Sequence, residues 1–207
     1  MPGGTFRCGA PGPSLVPAIG NAWILTDNPM MSETPPRYCP DRALPPYSYV
    51  TGLSPHPTRN ERGHSFGHQA EPPSPLDDAT CGTNPTYLYG LDLFNHGYYW
   101  EAHEAWESLW HAAGRTGPVA DFLKGLIKLA AAGVKAREGR SAGVRQHAQR
   151  AAALFRSVAT SGERGPFGLL LVALLDAAEQ TAAAAERLAG AGGSDASRLL
   201  PITLVLQ

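Results

Sequence analysis

Downstream of Pro85 the apolar positions recur every three or four residues, the period of helices with one buried face. Breaks in that pattern carry helix signals. Asn84 is an N-cap ahead of Pro85 at the first helical position, and the first helix runs to about His96, where Gly97 suits the left-handed residue after a helix end. A second helix covers about Tyr98 to Ala113 and stops at Gly114. Gly117-Pro118 opens a third, to about Glu138. Ser141 caps a fourth, to about Ser161, and Gly165-Pro166 opens a fifth that ends near Leu188. Short glycine-bearing connections put neighbours antiparallel. The fold class expected is therefore all-α, a bundle of about five antiparallel helices over residues 84–190, followed by an extended tail over 191–207.

The N-terminal part has no such period. Sixteen of the 19 prolines lie at or before Pro85, and proline both fixes φ and removes a donor, so residues 31–83 read as an irregular proline-rich arm. The arm carries Tyr38, Leu44, Tyr47, Tyr49, Val50, Leu53 and Phe66, too much apolar surface for a solvated linker, and is expected to pack on the bundle. Leu44 to Thr51 reads as extended, with Tyr47 and Tyr49 on one side. Residues 1–29 lack period and lack signal-peptide order, so residues 1–30 are expected to be disordered, with translation starting at Met30 or Met31. Near the C-terminus Ile202, Leu204 and Leu206 alternate with Thr203 and Val205, a short strand pattern.

Charge narrows the partners. Seventeen Lys and Arg face 18 Asp and Glu, which leaves no net positive field to gather nucleic acid or an anionic membrane. No apolar run is long enough to span a bilayer. Cys8, Cys39 and Cys81 are odd in number and lack C-x-x-C spacing, which speaks against a disulfide framework and for a reducing, cytoplasmic setting.

Chemistry concentrates on the second and third helices. The second carries Trp100, Trp106 and Trp110, and places His103 and Glu107 one turn apart beside indoles, with Glu104 and His111 at the border of that face. Glu101 and Ser108 are expected to be exposed. The third is apolar around most of its circumference, and its charges fall on one strip. At about 100° per residue, Lys124, Lys128 and Lys135 lie within roughly 40° of one another. These are the only lysines, against 14 arginines, and a compact ammonium fits where a planar guanidinium does not. An antiparallel hairpin would set Glu104 or Glu107 against Lys124 or Lys128, as a structural ion pair or a working site. The plainer reading of the lysine strip is the helix's water-facing side.

The string Leu93-Phe94-Asn95, Gly97, Tyr99, Glu101-Ala102-His103-Glu104, Glu107 and Trp110, followed by Phe122-Leu123, Gly125-Leu126-Ile127 and Ala130-Ala131, closely resembles the family called domain of unknown function 309, over about residues 88–160. The arm from Leu44 to Gly67 resembles an extension found in some members. The resemblance implies a cytoplasmic helical bundle without demonstrated activity, although members have been labelled metal-dependent hydrolases. Lys124 and Lys128 stand where members often have glutamine, and two ammoniums there would weaken a cation site.

Three functions remain in play. His103-Glu104-x-x-Glu107 has the one-turn ligand spacing of helical zinc sites, with His103 and Glu107 as ligands and Glu104 as general base; a metal-dependent hydrolase is thus one reading. A small anionic ligand held by Lys124 and Lys128 against a tryptophan wall is another. The third is an interaction module for a protein partner or a second copy of the chain. Cys39, His56, His64 and His68 offer a separate metal option in the arm, weighed against histidines that are exposed or bonded to the bundle. The cofactor stays unknown, and there is no P-loop and no dinucleotide glycine motif.

Overall fold

The computed structural model describes residues 34–68, 71–77, 79–159, 166–193, 195 and 197–207. The expectations for residues 1–30, including the start at Met30 or Met31, lie outside the described residues, as does the end of the fourth helix near Ser161. Among those described, the regular elements are helical: α1 (Pro85–Asn95), α2 (Tyr99–Ala112), α3 (Pro118–Arg137), α4 (Ser141–Val158), α5 (Leu171–Ala183) and α6 (Ala185–Gly190). The all-α expectation holds.

The predicted punctuation explains the first three helices. Asn84 Oδ1 accepts from the backbone N–H groups of Thr86 and Tyr87 at 3.1 and 3.0 Å, and Gly97 takes φ +82 after α1. Ser141 does not cap α4. Arg140 holds the cap position and Ser141 is already helical, with no side-chain cap bond. The fifth predicted helix is two. Pro166–Gly168 forms a single 3-10 turn, Phe167 takes φ +62, and the chain breaks again at Ala184. Neither glycine nor proline marks that second break, so pattern could not find it; it lets α6 bury Ala185 and Leu188 against α3 and α4.

α3 is the central element. It packs on α2 to one side and α4 on the other, with α1 beyond α2 and α5 beyond α4. Phe122, Leu123, Leu126 and Leu129 of α3 are fully buried, as are Trp106 on α2 and Phe155 on α4. The helices α1 and α2 approach closely because Gly90 has no side chain: a Cβ there would lie 2.2 Å from the Trp106 indole nitrogen.

Arm and tail are fastened at the α1–α2 corner. Asp92, fully buried, accepts from the backbone N–H groups of Tyr38 and Cys39 at 2.7 and 2.9 Å and from Arg37 Nε at 3.2 Å. Among its described residues the tail carries no strand. Side chains of the bundle take its backbone groups instead: Asn95 exchanges two bonds with Leu204, the Tyr99 hydroxyl accepts from Leu199 and Leu200, and Arg137 donates to the carbonyls of Gly97 and Ser197. The strand pattern still governs burial, with Leu204 inside and Val205 out. No strand forms at Leu44 to Thr51 either.

Candidate functional site

Two charged clusters lie on different faces of α2. The first centres on Glu101, which the helical period sets toward solvent. Glu101 is 7% exposed. Its Oε1 accepts from the Tyr49 backbone N–H at 2.9 Å and lies 3.3 Å from His64 Nε2, while Oε2 is buried without a hydrogen-bond partner among the described residues. The arm therefore covers this face. A wheel drawn on α2 alone cannot register a cover supplied by residues 49 and 64.

The second cluster contains the predicted residues. His103, Glu104 and Glu107 each offer a ligand atom within 4.8 Å of the others. His103 Nδ1 lies 3.4 Å from Glu104 Oε1 and 4.0 Å from Glu107 Oε2, yet has hydrogen-bond geometry to neither. Both carboxylates are largely open, with side chains 46% and 40% exposed.

The proposed lysine contact is absent. Neither Lys124 nor Lys128 comes within ion-pair distance of a carboxylate among the described residues. Lys124 is exposed, its ammonium 5.8 Å from the centre of the Trp110 ring, a cation–π placement. Lys128 is half-buried. Burial pushes its pKa down, and Arg150 and Lys124 push it further, while Glu107 acts weakly the other way. Only Lys135, the third of the strip, is paired, with Glu138 at 2.6 Å.

Sequence reasoning missed two members, both on α4. His147 feels the charges of Lys128, Lys135, Arg150 and His103, after burial the causes that push its pKa down to about 4. It is thus neutral at pH 7, with its Nδ1 buried and unpartnered among the described residues. Arg150 joins the same field. Helical period within α4 gives no sign of either role, because only the docking of α4 on α3 brings them to Lys128. Trp110 Nε1 is also buried without a partner.

The arm's metal option does not assemble. His56 Nδ1 accepts from the backbone of Thr58, His64 joins Glu101, and His68 belongs to no metal-competent group among the described residues. The arm also carries the G-x-S-x-G spacing of Gly63-His64-Ser65-Phe66-Gly67. No helix among the described residues is long and apolar enough to cross a membrane.

No curated protein matches the chain. Residues 87–146 match the model of a family described as Domain of unknown function (DUF309), the family that the motif string on α1 to α3 resembles.

Proposed function

We propose that the open face of α2, together with α3 and α4, binds a small anionic ligand bearing phosphate or carboxylate. One observation carries the reading: Lys128 is half-buried beside Lys124 and Arg150 and has no carboxylate at ion-pair distance among the described residues. A half-buried cation of this kind is costly unless something answers its charge. An anion would do so, and the buried ring nitrogens of His103, His147 and Trp110 would supply hydrogen bonds. Lys124 and Lys128 act as point charges and Trp110 as the wall.

A second reading is a metal-dependent hydrolase. The convergence of His103, Glu104 and Glu107 supports it, since one imidazole and two carboxylates suit zinc. His103 and Glu107 would hold the ion, with Glu104 beside it as base, and the ion would supply Lewis acidity or an acidified water. The cations at Lys124, Lys128 and Arg150 oppose it.

Isothermal titration of the purified chain with inorganic phosphate, and separately with zinc, decides between them. Saturable phosphate binding that Lys128→Met weakens at least tenfold is expected. One zinc per chain, lost in His103→Ala, with no phosphate binding would replace the first reading by the second.

A further inference from the structure

The arm lines up a hydroxyl, an imidazole and a carboxylate. Ser65 Oγ lies 2.9 Å from His64 Nδ1, and His64 Nε2 lies 3.3 Å from Glu101 Oε1. An ionised carboxylate only accepts, so Nε2 carries the proton of the neutral ring and Nδ1 is left to accept from Ser65. The ring is held in place. Tyr47 packs on it with centroids 4.8 Å apart, and the Tyr47 hydroxyl accepts from the His64 backbone N–H at 3.3 Å. Glu101 is fixed in turn by the Tyr49 N–H. The His64 side chain is 9% exposed, whereas Ser65 is only half-buried and stays within reach of a ligand. Phe66, 45% exposed, offers apolar surface next to it.

We infer that Ser65 is a nucleophile for acyl transfer from an uncharged carboxylic ester, with His64 as base and Glu101 as the positioning residue. This is the nucleophile–base–orienter arrangement in its general form. The imidazole is turned relative to the usual serine hydrolase, where Nε2 faces the serine; either nitrogen serves as base once the other is protonated. The G-x-S-x-G segment lies among turns rather than between a strand and a helix, so the distances, not the motif, support the assignment. As Ser65 Oγ bonds to the acyl carbon, its proton passes to His64 Nδ1. The bond to the leaving alcohol then breaks, and the imidazolium returns that proton to the departing oxygen. Water next gives a proton to Nδ1 as its oxygen bonds to the acyl carbon; the bond from that carbon to Ser65 Oγ then breaks, and the imidazolium returns the proton to Oγ, which releases the acid and restores Ser65 and the neutral ring.

The test is labelling of the full chain with an alkyl fluorophosphonate, followed by peptide mass mapping. An adduct on Ser65 is expected, absent in Ser65→Ala. Its rate should fall at least tenfold in Glu101→Gln and recover in part in Glu101→Asp, which restores a carboxylate at that position. No adduct on Ser65 of the folded chain overturns the assignment, as does an unchanged rate in a folded Glu101→Gln. Should Glu101→Gln unfold, Ser65→Cys takes its place. Iodoacetamide should then alkylate residue 65 at least tenfold faster in the folded chain than in the denatured one, and equal rates overturn the assignment.

Discussion

Glu101 and Glu107 stand less than two turns apart on one helix and meet opposite fates. Glu101 is closed over by the arm and accepts from Tyr49, with His64 beside it. Glu107 stays 40% exposed, and Lys128, on whose charge it acts, remains beyond ion-pair reach. The same side chain is an anchor on one face and part of an unfilled polar surface on the other. What differs is the supply of partners. The arm brings a backbone N–H and an imidazole to Glu101, whereas α3 and α4 bring further cations to the neighbourhood of His103 and leave buried nitrogens unmatched among the described residues.

The largest expected effect breaks the anchored side. Glu101→Ala strips an acceptor from the half-buried Tyr49 N–H and from His64. Each orphaned group costs about 1–3 kcal/mol, so a loss on the order of 2–4 kcal/mol is expected in urea unfolding. A loss below about 1 kcal/mol would mean that the arm is not fastened there.

Next comes acid sensitivity on the open side. The folded-state pKa of His147 is lowered from 6.5 to about 4. The unfolded chain therefore binds the proton first as pH falls. The stability due to this group is full above about 6.5 and is lost as pH drops through about 4. The ring is partly solvated, so screening reduces the loss to about 1–2 kcal/mol. His147→Phe should flatten the melting temperature against pH in that window relative to wild type, and superimposable profiles would contradict the placement.

Smaller effects sharpen the contrast. Lys128→Met removes a charge that burial and two cations disfavour, and should raise stability by about 0.5 kcal/mol at pH 7. Because the folded pKa of Lys128 is lowered, that gain should shrink as pH rises through the lysine range, where wild type loses the same charge. Glu107→Gln should change stability by less than about 0.5 kcal/mol, and its double-mutant coupling with Lys124→Met should be near zero. A coupling above about 1 kcal/mol would restore the direct contact expected from the sequence.

These outcomes turn on what sequence could and could not reveal. Asn84-Pro85, Gly97, Gly114 and Gly117-Pro118 are local backbone signals, and the ends of α1, α2 and the start of α3 follow from them. The break at Ala184 carries no such signal. His103, Glu104 and Glu107 were placed on one face by helical period alone, and they do converge. Period says nothing of reach across helices, so Lys124 was set against a carboxylate when its ammonium lies over Trp110. Glu101 was assigned to water for a related reason. Its partners lie 52 and 37 residues back in the chain, in a segment without period.

The central claim is that one face of α2 is closed and the other is built to receive an anion. Nitrogen-15 NMR of the histidine rings during a phosphate titration at constant ionic strength and pH tests it most directly. The account predicts that the His103 and His147 ring nitrogens shift saturably while those of His64 stay fixed. Equal movement of all three, or movement of His64 alone, would contradict it.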